Sequence, residues 1–372
     1  MTAQPAASSA VATEVLAGFS RIRETAETFM DKRDRAGDGW NEEAVTAVSV
    51  IEGRPHVQVV EFNRNQEGRG PNALGADYLW WWIDGSGGEC FGMLVQAKRL
   101  TLAGEQWHVD ITHREGGQLS DLLRTADELR VPAVYGVYTG GLVYRAALPC
   151  LHRRASGLIE AAPAPPATTP ATGLPDKQEC GRCRRMAISM VTAYQLTSNW
   201  QSKMMTGNTV LTESVPVEDL VDPAVPSGPV WDVNLRDISD RELRSFLVRP
   251  QGGAREIARR IFRLVAHRRR MAFSAPAPEL VTVAAGAPVF PDVPEDRGHF
   301  PGPYYRHVLQ GLRTSPPAYV EDLLRPPTPA ELWDLPPVSD GTIGRIVAGG
   351  PGRRQPPELQ GTNVAGVVLV TV

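Results

Sequence analysis

The first 140 residues alternate between helix-like and strand-like patterns of apolar positions. Between residues 11 and 36, apolar side chains recur at helix spacing, which predicts a helix. The sequence GDGW interrupts that pattern, and Asn41 is well suited to cap a second helix over NEEAVTAVSVI. HVQVVEF then alternates as a half-buried strand does. These signals predict a helix, a second helix and a strand, in that order.

The clearest structural prediction is a β-hairpin. DYLWWWI and CFGMLVQAKRL are apolar runs joined by the Gly-rich sequence DGSGGE, and we expect the chain to reverse near residues 85–88. GGQLSDLLRTADEL follows with its leucines on one helical face, and VPAVYGVY is typical of a central strand. Together these elements predict an α/β fold with one mixed β-sheet flanked by helices.

The second half of the chain gives fewer signals. RRMAISMVTAYQL and REIARRIFRLVAHRRR predict helices, and the C-terminal NVAGVVLVTV predicts a strand. EAAPAPPATTPATGLPDK is rich in Pro, Ala and Thr, which indicates a linker. We therefore divide the chain into an N-terminal helix with a disordered start, a core, a linker, and a C-terminal region of mixed helix and loop that ends in a strand: 1–37, 38–158, 159–178 and 179–372.

Composition narrows the class of protein. A hydrophobic content of 42% supports a real core, and a net charge of −3 lacks the global basic signature of a nucleic-acid binder, although a local basic face stays compatible with it. Four cysteines in 372 residues favour a reducing compartment. The N-terminal sequence lacks the features of a signal peptide, and no apolar run has the length of a membrane span. We expect a soluble cytoplasmic protein without a membrane partner; the sequence leaves open whether it forms a homo-oligomer.

The candidate chemistry lies on the hairpin. Gln96 and Lys98 follow directly after the apolar run 93–95, and side chains two apart in a strand share a side. Asp77 opens the other strand, so a turn near residues 85–88 brings it to the same open end of the hairpin. An acid, an amide and an ammonium group therefore converge. Magnesium prefers oxygen ligands, which Asp77, Gln96 and the backbone carbonyl of Ala97 can supply, and Lys98 can orient an attacking water.

The ordered set of motifs resembles the PD-(D/E)xK nuclease superfamily, in the QxK variant of Mrr-type restriction endonucleases. NEEAVT, EGRGPNALGADYLWWW, GMLVQAKRL, GGQLSDLL and VPAVYGVY are similar, more closely, to an uncharacterised bacterial family of presumed restriction-endonuclease-like fold. In that family a helical Glu, an E…GADW block, VQAKR and a Gln-bearing helix follow one another. This sequence has Tyr78 where the family prefers Trp, and GRGPN between Glu67 and Gly75 makes the position of Glu67 uncertain.

The resemblance implies a restriction-endonuclease-like core and a Mg²⁺- or Mn²⁺-dependent endonuclease that hydrolyses nucleic acid, with DNA as substrate and defence against foreign DNA as its role. It favours Glu42 over Glu43 and Glu67 as a second carboxylate, and it gives Gln118 a part in holding the site or the phosphate. Two alternatives stay open. The chain can be an inactive nuclease fold that serves in interaction or regulation, or a nuclease that cleaves RNA.

A second candidate metal site lies across the linker. Cys180 and Cys183 form a CxxC pair, and Cys150 and His152 precede them. Thiolate and imidazole ligands in this number suit tetrahedral Zn²⁺, but the spacing matches no named zinc finger, and ordinary thiols are the alternative.

Two further patterns have a structural and a functional interpretation each. Trp80, Trp81 and Trp82 suit packing in the core, with stacking on a base as the alternative. The basic clusters suit either a solvated helix face or contacts with phosphate groups; their members are Arg182, Arg184, Arg185, Arg255, Arg259, Arg260, Arg263, Arg268, Arg269 and Arg270.

Overall fold

The structure is a computed structural model of the 372-residue chain. It describes residues 5–62, 77–85, 88–103, 106–110, 117–140, 185–193, 204–206, 214–225, 246, 252–272, 302–326 and 353–372. The linker predicted at 159–178 lies outside these residues.

The described residues form six α-helices and ten strands. The helices are α1 (Pro5–Ala36), α2 (Glu42–Ser49), α3 (Gly117–Leu129), α4 (Gly253–Ala272), α5 (Gly302–Gly311) and α6 (Ala318–Leu324). The strands are β1 (Val57–Glu61), β2 (Asp77–Ile83), β3 (Cys90–Ala103), β4 (Gln106–Asp110), β5 (Ala133–Tyr138), β6 (Ile188–Thr192), β7 (Met204–Thr206), β8 (Val215–Pro216), β9 (Leu312–Arg313) and β10 (Val364–Thr371).

One mixed sheet organises the fold. Its main order is β1-β10-β2-β3-β5-β6-β8; β4 and β9 also pair with β3, and β7 pairs with β4. The pairs β10–β2 and β3–β5 are parallel, and the other described pairs are antiparallel. The predicted α/β fold with a mixed sheet flanked by helices is therefore confirmed.

Helix α1 begins at Pro5, earlier than the apolar pattern indicated, and covers one face of the sheet. Phe19 stacks on Trp82 with ring centroids 5.5 Å apart, and Trp80 lies 5.8 Å from Trp82 on the same face. Trp81 points to the opposite face, where its indole N–H donates to the Tyr319 hydroxyl at 3.1 Å. All three tryptophans are buried, so the interpretation as core residues is confirmed.

The opposite face carries helices from both halves of the chain. Helices α3, α4 and α5 contact β3, and α5 also contacts α3 and α4. The apolar stripe of α4, with Ile257 and Ile261, is buried. None of the helices in the described part of the chain has the length and apolar character that a membrane span requires.

One predicted element is wrong. RRMAISMVTAYQL suggested a helix, but Ile188–Thr192 form β6, which pairs with β5 and β8. All five residues of β6 are buried, and β-branched side chains at Ile188, Val191 and Thr192 fit a strand buried on both faces. Here the neighbouring strands outweigh the local helical spacing of apolar residues.

The strand predicted at the C-terminus is confirmed, and its position is central. β10 lies between β1 and β2, so a strand from the end of the chain separates two strands from its beginning. Seven of its eight residues are buried, as expected of a strand with helices or strands on every side.

Candidate functional site

The two strands of the hairpin meet in the predicted register. Pairing runs from Ile83–Cys90 at the turn to Asp77–Gln96 at the open end. Asp77 is the first residue of β2, and on its other side its backbone lies opposite Val364 of β10. β10 has an irregularity between Val364 and Gly366, next to this point. Irregular strands often occur beside functional sites, where they change the direction of the chain. The side chain of Asp77 lies outside the described atoms.

Gln96 has an amide oxygen that lacks a partner among the described residues. Its side chain is 1% exposed, and Oε1 accepts no hydrogen bond from the described residues. A buried acceptor without a donor costs about 1–3 kcal/mol. This oxygen therefore favours any water or cation that can reach it.

Lys98 is buried as well, at 7% exposure, and it has a defined position. Its Nζ donates to Oε1 of Gln118 on α3 at 2.5 Å. Nζ also lies 5.9 Å from the centroid of the Tyr135 ring, within the range of a cation–π contact. The structure thus brings Lys98 and Gln118 together, and their role in catalysis stays a prediction.

Glu42 is at the same end of the sheet but belongs to the other face. It is the first residue of α2, which is capped by Asn41: Oδ1 accepts from the Ala44 amide at 2.8 Å. The Glu42 carbonyl accepts from the Thr46 hydroxyl at 2.7 Å, and that hydroxyl lies 2.6 Å from the Tyr138 hydroxyl. Burial raises the pKa of Tyr138 to about 12, and the Glu42 carboxylate adds to the increase.

Tyr138 and Gly136 line a small, mainly apolar cavity between α1, α2 and the sheet. Tyr135 and Lys98 instead face α3, because side chains alternate along each strand. Glu42 therefore approaches the end of the sheet from the side opposite to Lys98, and its role as second carboxylate stays a prediction.

Arg99 occupies the exposed position next to Lys98. Its Nη1 donates to the Trp40 carbonyl oxygen at 2.5 Å, just before α2 begins. Trp40 is buried and donates through its indole N–H to Oδ1 of Asp34 at 2.9 Å. Burial raises the pKa of the Asp34 carboxyl, and the neighbouring Asp31 adds to the increase.

Several predicted site residues lie outside the described part of the structure. They are Glu67, the side chain of Glu43, and the four candidate zinc ligands Cys150, His152, Cys180 and Cys183. Among the described side chains, which include neither Asp77 nor Glu67, no three His, Cys, Asp or Glu residues come together as a metal site. Cys90 is buried and free, and burial raises its thiol pKa to about 11, so it packs in the core rather than binding a metal.

Sequence reasoning missed Tyr135 and Arg99. Tyr135 is the register partner of Gln96 in the parallel strand β5. The sequence predicts both strands but contains no signal for their parallel register, which depends on the crossover through α3. Arg99 is part of the sequence VQAKR, but its exposure at the end of the sheet follows only from the pairing of β3 with β5.

Comparison with known proteins gives one family. Residues 17–339 match the profile described as Family of unknown function (DUF6615), a span that includes α2, the hairpin, α3 and α4. No curated protein and no solved structure matches the chain. Because the match covers most of the 372 residues, the chain belongs to the Family of unknown function (DUF6615).

Proposed function

We propose that this protein hydrolyses phosphodiester bonds of nucleic acid in a Mg²⁺- or Mn²⁺-dependent reaction, with DNA as the first substrate to test. The observation that carries the proposal is the buried polar pair on β3. Oε1 of Gln96, which has no partner among the described residues, and the hydrogen-bonded Nζ of Lys98 lie where Asp77 begins the adjacent strand.

The order of elements supports a restriction-endonuclease-like core. Helix α2, strand β1, the β2–β3 hairpin, helix α3 and strand β5 follow one another, with β2 antiparallel and β5 parallel to β3. The departure is β10, which lies between β1 and β2.

The residues present fit a hard divalent cation. Mg²⁺ prefers oxygen ligands, and Gln96 offers a buried amide oxygen with no donor among the described residues. Asp77 supplies a carboxylate whose backbone position is opposite Gln96, and Ala97 supplies a backbone carbonyl one residue further along β3. When bound, the ion would neutralise charge on the phosphate and make a bound water more acidic.

The protein's own groups have separate tasks in this proposal. Gln118 holds Nζ of Lys98 in place, so its position is fixed before substrate arrives. Lys98, as an ammonium, orients the attacking water and stabilises the negative charge that develops on the phosphoryl oxygens. Burial of the pair reduces competition from bulk water and strengthens that electrostatic effect.

The test is nicking of supercoiled plasmid by the full-length protein with Mg²⁺, Mn²⁺ or Ca²⁺, with labelled single-stranded RNA as a parallel substrate. We expect cleavage that EDTA, Lys98→Met and Asp77→Asn each abolish. Lys32→Met and Asp38→Asn are the matched controls, because Lys32 and Asp38 are exposed at or beyond the end of α1.

The outcomes separate the candidate functions. Cleavage of RNA with DNA left intact assigns the RNA-cleaving alternative. If both substrates stay intact with every divalent ion, the enzyme proposal is overturned in favour of an inactive nuclease fold. Equal loss of cleavage in Lys98→Met and Lys32→Met would contradict the assigned site.

A further inference from the structure

The described arginines in the first half of α4 pair with other groups of the protein. Arg255 donates through Nε to Glu89 Oε2 at 2.6 Å, and Arg260 donates through Nε to Glu256 Oε1 at 2.9 Å. Arg260 also donates to the Asp222 carbonyl at 2.9 Å. Arg185, before β6, pairs with the Asp222 carboxylate at 2.6 Å. The protein itself therefore supplies partners for Arg185, Arg255 and Arg260. Other members of the basic clusters lie outside the described residues or side chains: Arg182, Arg184, Arg263, Arg268, Arg269 and Arg270.

Arg99 differs from those arginines in charge balance. It is exposed, and its one hydrogen bond with the described residues is to a neutral backbone carbonyl, that of Trp40. No described carboxylate lies within ion-pair distance of its guanidinium. The group therefore keeps its full positive charge and most of its N–H donors for another partner.

The anchoring of Arg99 also limits its movement. Trp40 is held in place by burial and by its hydrogen bond to Asp34, so the carbonyl oxygen that accepts the hydrogen bond from Arg99 has a fixed position. Arg99 is the chain neighbour of Lys98 and points to the other side of β3. A cation is thus held at the end of the sheet, one residue from the proposed catalytic ammonium.

We propose that Arg99 binds a backbone phosphate of the nucleic acid next to the scissile phosphodiester, and so positions the substrate without taking part in the chemistry. This inference rests on the proposed function for its location. An arginine is suited to the task because its planar donors match phosphate oxygens, and such contacts do not depend on base sequence.

Binding is measured apart from cleavage, by fluorescence anisotropy of a labelled DNA duplex with EDTA present, over a series of salt concentrations. Loss of one phosphate contact reduces the slope of log K against log salt by about 0.9. We expect Arg99→Gln to show that reduction and to weaken binding roughly tenfold or more on every duplex sequence. We expect Arg99→Lys, which keeps the charge, to retain the slope.

Arg54→Gln is the matched control. Arg54 is exposed too, and it precedes β1. The first residues of β1 pair with the end of β10, whereas Asp77 pairs with the beginning of β10, so Arg54 lies far from the proposed site. The slope of log K against log salt should be the same for Arg54→Gln as for the unmodified protein. Where cleavage occurs, Arg99→Gln should raise KM and leave kcat close to the original value, whereas Lys98→Met should abolish kcat.

The outcomes distinguish the two proposals. An unchanged slope in Arg99→Gln, or an equal change in Arg54→Gln, overturns the role of Arg99 even if the protein cleaves DNA. Salt-dependent binding that needs Arg99, in a protein that cleaves nothing, supports the phosphate contact and overturns the proposed hydrolysis. Absence of nucleic-acid binding by the unmodified protein overturns the inference.

Discussion

At the scale of single residues, the informative feature is a buried neutral amide oxygen at a position where many metal sites have a carboxylate. If Gln96 binds a cation as proposed, it contributes an oxygen without charge, so the charge of Asp77 and of any second carboxylate would set the affinity. Because Gln96 is buried, a charged side chain at this position would be destabilising without a partner. A bound divalent ion would supply that partner.

The difference between an unpaired buried charge and one bound to a divalent ion predicts the behaviour of Gln96→Glu. The new carboxylate should lower the melting temperature in EDTA, because a buried charge lacks a partner there, and Mn²⁺ should restore it. We expect Mn²⁺ to bind roughly tenfold more tightly than to the unmodified protein, since an added charged ligand increases affinity. Electron paramagnetic resonance titration of free Mn²⁺ measures the affinity directly.

Gln58→Glu is the comparison, because Gln58 is an exposed glutamine on β1. It should leave the affinity for Mn²⁺ unchanged, and in EDTA it should cost no more than the one hydrogen bond that Gln58 Nε2 donates to the Leu323 carbonyl oxygen at 3.3 Å. Equal Mn²⁺ affinity in Gln96→Glu and the unmodified protein would mean that Gln96 is not a metal ligand.

At the scale of elements, two buried polar contacts help to attach the N-terminal helices to the rest of the protein. The first joins α2 to β5 through the hydroxyl groups of Thr46 and Tyr138. The second joins α1 to the segment around Glu218, which lies far along the chain: Arg23 donates to Glu218 Oε1 at 2.7 Å, and both side chains are buried. The sequence predicted both helices, but gave no signal for either partner.

The Tyr138 contact predicts a loss of stability at alkaline pH. Its pKa is about 12 in the folded protein and about 10 when unfolded, because burial disfavours the phenolate. The resulting stabilisation, about 3 kcal/mol, is complete below pH 10 and is lost as the pH rises towards 12. We expect urea unfolding to show this decline in the unmodified protein and to lack this contribution in Tyr138→Phe.

Thr46→Val separates titration from hydrogen bonding. It removes the partner hydroxyl at a cost of about 1 kcal/mol but leaves the buried phenol, so the alkaline decline should persist. The same alkaline decline in Tyr138→Phe as in Thr46→Val would assign the effect to other groups.

The ion pair of α1 predicts a second effect on stability. Glu218 is 1% exposed and accepts from Arg23 and Arg185, so Glu218→Gln leaves two buried or half-buried cations with less compensation. We expect a loss of about 3 kcal/mol in the free energy of unfolding, measured with urea. Glu24→Gln, which affects an exposed partner of the same Arg23, should cost less than about 1 kcal/mol. Similar losses in the two variants would show that the buried ion pair contributes no more to stability than the exposed one.

At the scale of the whole molecule, local patterns predicted elements and the hairpin register, but not the order of strands. Asp77 and Gln96 could be paired from sequence because a short turn fixes the register of a hairpin. The parallel register of β3 and β5, which brings Tyr135 beside Gln96, depends on how α3 packs. β6 was misassigned for a similar reason, since its pairing on both sides determines its structure.

The position of β10 could not be predicted either, although the strand itself was. Its uniform apolar character indicates burial on both faces, which many positions in a sheet would satisfy. Between β1 and β2, β10 lies close to both neighbours at Gly366. A Cβ on Gly366 would come within 2.7 Å of the Val60 carbonyl oxygen and 3.0 Å of the Tyr78 ring. The absence of a side chain at residue 366 allows β10 to approach both neighbours.

Deletion of residues 364–372 should therefore unfold the protein. It removes the strand that joins β1 to β2, exposes apolar side chains on both neighbours, and leaves the backbone of Asp77 without its partner in β10. We expect the shortened chain to lack a cooperative thermal transition and the near-ultraviolet circular dichroism of its buried tryptophans. Deletion of residues 1–4, which precede α1, should preserve both signals. A cooperative transition at an unchanged temperature after loss of β10 would mean that residues 38–158 fold without it, and that the proposed site depends on the hairpin and α3 alone.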